Sequence, residues 1–173
     1  MKLIYIATLI IVVTSCTHKA NTATDTTTLT TPLKIEYAVA TNKADSIANA
    51  YLMLKDAFVS DSLPLVDAAN TNLVITIGTT IVTQQVMLLQ QAVQLAAATT
   101  LKDKRFVFKD MAKPLQQIIS GTTTTKLYVQ HCPMAYNNKG AYWVSNVAEI
   151  KNPYYPKQML DCGEVTDSLA IAK

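Results

Sequence analysis

Residues 47–58 read IANAYLMLKDAF, and within them Ile47, Tyr51, Leu54 and Phe58 recur at steps of four, three and four. That spacing lines large apolar side chains along one stripe of an α-helix. The pattern turns helical from about residue 42, and the same period returns three more times. Asp61 or Ser62 offers the next N-cap, and Pro64 stands in the following first turn, where its missing N–H costs nothing. Leu63, Val66, Ala69, Leu73 and Ile77 form a second stripe before Gly78, against which the run Val74-Ile75-Thr76-Ile77 counts, because β-branched residues lose side-chain freedom in helices. Val82, Val86, Leu89, Val93 and Ala96 give a third stripe. Phe108, Met111, Leu115 and Ile118 give a fourth, after a polar break at Lys102-Asp103-Lys104. Pro114 is expected to bend that last segment or mark its restart. Met53, Met87 and Met111 read as gap-filling core residues. Four amphipathic segments with short links predict a mainly α protein, an up-down four-helix bundle.

Past Gly121 and a Thr run the character changes. Leu127-Tyr128-Val129-Gln130 and Gly140-Ala141-Tyr142-Trp143-Val144 look extended, and Asn137-Asn138-Lys139-Gly140 supplies turn chemistry between them. The expected addition to the bundle is therefore a small C-terminal hairpin and loop region. On an extended segment Cys132 and Met134 share a face. Met159 and Cys162, one helical turn apart, share another, so the two pairs can converge.

At the other end, Lys2 precedes an apolar run from Leu3 to Val13, too short to span a bilayer, which reads as a signal peptide over residues 1–15. Val13-Thr14-Ser15-Cys16 resembles the lipobox of bacterial lipoproteins, with Cys16 as the acylated first mature residue. Residues 16–34 then form a Thr-rich tether with too few large apolar side chains to offset ordering entropy. Residues 35–173 remain as one domain. The expected location is the cell envelope, anchored to a membrane through lipid and facing the oxidising periplasm.

The chain has 15 Lys and Arg against 12 Asp and Glu, and removal of the signal takes only Lys2, leaving a mature balance of +2. That small surplus argues against nucleic acid as a partner. With His18 and His131 as its two histidines, four glycines and no recognised nucleophile motif, the chain does not read as an enzyme.

The stretches YVQHCPMAYNNKGAYWVS, EIKNPYY and MLDCGE, together with YLMLKDAFVSD and RFVFKDM upstream, resemble an uncharacterised helical domain family of bacterial lipoproteins of the Bacteroidota type. A similar domain closes some periplasmic adaptor subunits of copper and silver efflux pumps. The resemblance spans about residues 42–165 and implies a link to soft-metal handling beside efflux components. Where the family pattern carries glycine after Asn-Pro-Tyr-aromatic, this chain has Pro156.

The leading reading of the cysteines is a soft-metal site, and a disulfide is its alternative. Thiolates and thioethers favour Cu(I), so Cys132, Met134, Met159 and Cys162, with His131 as a spare imidazole, form a candidate soft-metal site for a carrier or efflux accessory. Alternatively, Cys132 and Cys162 in an oxidising compartment form a disulfide that staples a metal-free interaction module docking on an envelope partner. Tyr142, Trp143, Tyr154 and Tyr155 would then belong to the contact surface.

Overall fold

The computed structural model describes residues 40, 42–78 and 83–169. The signal segment, the tether, Cys16 and Val82 lie outside the described residues. Five helices, α1 (Lys43–Val59), α2 (Leu63–Gly78), α3 (Thr83–Ala97), α4 (Leu101–Phe108) and α5 (Ala112–Ile119), precede a three-stranded sheet of β1 (Leu127–Cys132), β2 (Ala141–Ser145) and β3 (Glu164–Leu169). A one-turn element, α6 (Ala135–Asn138), links β1 to β2. The mainly helical reading holds, but helices and sheet together make a mixed architecture rather than a pure four-helix bundle.

Helix α1 starts where Asn42 caps it, its side chain accepting the Asp45 N–H at 2.9 Å. Asp45 then reaches out of the helix, accepting from the Thr124 N–H at 3.0 Å and from the Thr123 and Thr124 hydroxyls, which ties the Thr turn to α1. Ile47, Tyr51, Leu54 and Phe58 are all fully buried, as their spacing predicts. In α2, Val66, Ala69, Leu73 and Ile77 face the core, and the β-branched run stays helical because its inward positions are covered by packing.

The third stripe is a different one. Leu88, Ala92 and Leu95 are buried with Gln85, whereas Val86 and Val93 are exposed and Ala96 faces water. Small Ala92 lets α3 come close to α2, and the Asn70 amide uses that closeness to donate to the Ala92 carbonyl at 2.9 Å. Lys102–Lys104 is not a break but the first turn of α4, capped by Thr100, whose hydroxyl accepts the Asp103 N–H at 3.1 Å. The actual interruption falls at Lys109–Met111. Pro114 explains it: its ring clashes with the carbonyl four residues back, at Asp110, so α5 begins afresh at Ala112 and Pro114 falls in its first turn. Of the three helical methionines only Met111 fills the core; Met53 and Met87 are largely exposed.

The sheet order is β2-β1-β3, antiparallel throughout, with a register irregularity between Val129 and Gln130 where β3 pairs. The expected hairpin is β1–β2. Strand β3 was not expected, because every residue of it is exposed or half-buried and no alternation marks it. An aromatic column joins helices to sheet: Phe108 packs on Tyr51 at 5.2 Å and on Phe58 at 4.8 Å, then meets Tyr154, which stands edge-on to Trp143 at 5.9 Å. The Val144 N–H donates to the Tyr51 hydroxyl oxygen, a second tie between α1 and β2. Burial raises the Tyr51 and Tyr154 phenols above their ordinary value, so both stay protonated.

Beyond the end of α1, Asp61 takes a left-handed conformation at φ 54°. Its carboxylate receives Arg105 at 2.6 Å and Lys157 at 2.5 Å, while Arg105 also donates to the carbonyls of Phe58 and Pro153. Hydrogen bonds from Lys157 and Arg105 hold the Asp61 carboxyl below its ordinary value of 3.8. A lowered folded-state value means that this stabilisation is complete above the unfolded value and is lost as the pH falls from there through the folded one. Asp61→Asn, which keeps the left-handed backbone accessible, is expected to remove that part of the acid limb. Urea midpoints measured from neutral to acid pH check this, and parallel curves for parent and variant would refute it.

Candidate functional site

The C-terminal layer is organised around Cys132. As the last residue of β1 it points inward and is fully buried, opposite Ala141 in the register. The chain returns to it from a loop built on Asn152. The buried Asn152 side chain accepts the Tyr154 N–H at 2.8 Å, donates to the Cys162 carbonyl at 3.1 Å, and its backbone N–H reaches Leu160 at 2.7 Å. Pro156 opens a turn in which the Gln158 and Met159 N–H groups both donate to the Tyr155 carbonyl, a place suited to its fixed φ. The Asn-Pro-Tyr segment therefore acts as a bracket that delivers Cys162.

The two sulfurs face each other at 2.8 Å. The hydrogen bond with Cys132 and then burial raise the Cys162 thiol above its ordinary 9.0, and the Met134 backbone N–H opposes them only in part. At neutral pH the reduced Cys162 is thus a poor nucleophile. Gly163 follows in a left-handed conformation at φ 151°, and a Cβ there would stand 2.8 Å from Trp143 Cη2 and 2.9 Å from the His131 carbonyl. Only glycine lets the chain pass this close over the Trp143 ring.

Of the five candidate soft-metal residues, Cys132 and Cys162 meet through their sulfurs, Met134 and Met159 meet Cys162 through backbone atoms, and His131 does not join them. Met134 approaches Cys162 through its backbone N–H, and the Cys162 N–H donates to the Met159 carbonyl at 3.1 Å. The route differs from the sequence expectation, because β1 ends at Cys132 and Met134 has a helical backbone instead of continuing the strand. The Met134 side chain is 55% exposed and Met159 is half-buried. His131, adjacent to Cys132 on the strand, belongs to its other face. Its ring stacks on Tyr142 at 4.2 Å and rests against Gly140, where any Cβ would collide with Nε2 at 2.4 Å.

The sulfur spacing tests the fit to a metal. Two sulfurs bound to one tetrahedral ion at about 2.3 Å each stand about 3.8 Å apart, so the pair would have to open by about 1 Å to admit it. Among the described residues no cluster of three or more His, Cys, Asp or Glu is suited to holding an ion. Trp143 and Tyr154 are core residues, which leaves Tyr142 and half-buried Tyr155 as the solvent-facing part of the aromatic group.

Sequence reasoning missed Arg105, which pins α1, α4 and the Pro153 loop together, and Gln130, whose buried amide donates to the Val147, Ala148 and Glu149 carbonyls. A polar residue within a strand of otherwise apolar inward positions was the available signal for Gln130. Compared with known proteins, the chain matches no family model, no curated protein and no solved structure.

Proposed function

We propose that the protein is a lipid-anchored domain of the cell envelope, tethered through Cys16 and facing the periplasm, that works as an interaction module stapled by a Cys132–Cys162 disulfide. The 2.8 Å approach of the two sulfurs supports this reading most directly. A closure of under about 1 Å brings them to bonding distance, near 2.05 Å. The bracket around Asn152 holds Cys162 in place for it, and an oxidising compartment favours the bonded state. Alkylation of the denatured full chain, isolated from the envelope, before and after reduction tests the staple. Cys132 and Cys162 are expected to take up label only after reduction. Labelling of both without reductant overturns it.

A second reading is a carrier that takes Cu(I) as cargo on the reduced pair and passes it to efflux components. It is favoured by the backbone hydrogen bonds that tie the main chain at Met134 and Met159 to Cys162. The Met134→Leu/Met159→Leu double variant keeps volume and apolarity while removing both thioethers. Under the module reading it matches the parent in competition for Cu(I) against a chromogenic chelator. A loss of affinity of about tenfold or more would establish the carrier instead.

A further inference from the structure

A cleft of about 880 Å3, within the range that holds small ligands, opens between α4 and the α6 turn, and neither cysteine lines it. Lys102 and Phe106 stand at i and i+4 on α4, and Lys109, its C-cap, follows on the same face at i+7. Tyr142, Lys139 and Tyr155 also line the cleft. Phe106 is 56% exposed and Tyr142 47%. A second cleft of about 420 Å3 shares Lys109 and Tyr142 with the first and adds Lys113.

The charge of this double cleft is lopsided. Among the described residues that line it, Lys102, Arg105, Lys109, Lys113 and Lys139 stand with Asp110 and Asp167, a surplus of three positive charges, one of which, on Arg105, is answered by Asp61 outside the lining. Arg105 is committed to Asp61, and Lys109 to Asp110 at 2.6 Å. Lys102, Lys113 and Lys139 have no ion-pair partner among the described residues.

The wall is also strained. Tyr136, Asn137 and Asn138 are successive left-handed residues, with φ of 52°, 59° and 62°. Asparagine tolerates that region, but for tyrosine it costs about 1–2 kcal/mol. Packing enforces it: the Tyr136 hydroxyl donates to the Arg105 carbonyl at 2.7 Å, its N–H donates to the Tyr155 hydroxyl oxygen, and its ring stands edge-on to Phe106 and Tyr154. The result is a turn that presents Asn137 and Lys139 to the cleft. Backbone strain held in place by its surroundings concentrates at ligand sites.

We propose that the double cleft binds an acidic oligosaccharide, a short chain of uronic-acid type with one carboxylate per sugar. Sugar rings lie against the exposed aromatic rings, their hydroxyls meet the amides of Asn137 and Gln158, and single carboxylates meet the unpaired lysines. Lysine is a point charge suited to a monoanion, whereas the one arginine fork here is already engaged. Two adjoining subsites with a common wall fit a chain better than a compact ligand. This inference rests on the reading of the domain as a binding module and names what the module binds.

The test is calorimetric titration of the full chain in detergent with α-1,4-linked trigalacturonate, with its methyl ester and with an oligothymidylate of equal charge. Trigalacturonate is expected to bind, more weakly as salt rises, and the uncharged ester about tenfold or more less tightly. Tyr142→Ala and the Lys102→Gln/Lys139→Gln pair, all at exposed positions, are each expected to weaken binding about fivefold or more with circular dichroism unchanged. Equal binding of the ester, tighter binding of the oligothymidylate, unweakened variants, or no binding of trigalacturonate at millimolar concentration would each overturn the proposal. Thiol labelling is read separately, so absent binding in a chain whose cysteines are bonded overturns the ligand and not the module.

Discussion

Phe108→Ala lowers the unfolding free energy by about 3–5 kcal/mol, the range for deleting a large buried aromatic side chain. The ring is fully buried and touches Tyr51 and Phe58 on α1 and Tyr154 in the C-terminal loop. Its removal opens a cavity where helices and sheet meet, and none of the surrounding rings is free to fill it: Tyr154 is fixed by its hydroxyl, which donates to the Tyr142 carbonyl at 2.5 Å, and Tyr51 by the Val144 N–H. Phe106→Ala is the control. It lies two residues earlier on the same helix but is largely exposed, so its cost should be well below that of Phe108. Urea denaturation of both variants decides the matter, and equal midpoints would refute the assignment of Phe108 as the joint between layers. A Phe108 variant whose transition splits into two would show the layers unfolding one after the other.

Reduction of the Cys132–Cys162 pair is expected to cost about 3.5 kcal/mol in the chain-entropy account, since the closed loop holds about thirty residues. The loss should concentrate at the C-terminal end, because Cys132 lies at the end of β1 and Cys162 in the loop before β3, and neither lies on a helix. Trp143 provides a local reporter: Gly163 lies directly on its ring, so release of the returning chain exposes the indole and shifts its emission to the red. Chemical denaturation with and without reductant, followed by Trp143 emission and by far-ultraviolet circular dichroism, separates the two regions. A midpoint that ignores reductant would mean that the staple is absent. Cys162→Ser should reproduce the reduced behaviour without added reagent, as the half-buried position admits a hydroxyl.

Sequence alone revealed the helices whose buried faces are built from large apolar residues. Ile47, Tyr51, Leu54 and Phe58 in α1, and Val66, Leu73 and Ile77 in α2, could be read from spacing because their bulk and their burial agree. In α3 the two diverge: the inward line runs through Gln85 and Ala92, while Val86 and Val93 face water. Close helix approach selects for small size at Ala92, which a hydrophobic pattern cannot register. Pro114 was visible, but its effect is felt four residues upstream, so the stripe from Phe108 to Ile118 read as one segment across the boundary between α4 and α5. Strand β3 left no trace because its partner is a backbone edge and its own side chains bury little. The approach of Cys162 to Cys132 was anticipated as a possible pairing, yet the bracket of Asn152 that produces it depends on contacts between residues far apart in the loop. The cationic cleft draws on three separated stretches, 102–110, 136–142 and 154–158, none of which is unusual by itself.

Strand β3 has a consequence for assembly. Lying beside β1 with its side chains in water, it contributes little to the core and acts chiefly as a cover over the open hydrogen-bonding edge of its neighbour. An uncovered β1 edge is a template for another strand of the same geometry. A chain whose last segment is clipped or released therefore offers the β1 edge, and a free β3 is the strand that fits it in register. Under the proposed lipid anchoring, copies would share one membrane plane and exchange of this segment between neighbours would become a matter of lateral density, and the proposed Cys132–Cys162 staple would keep each cover with its own molecule.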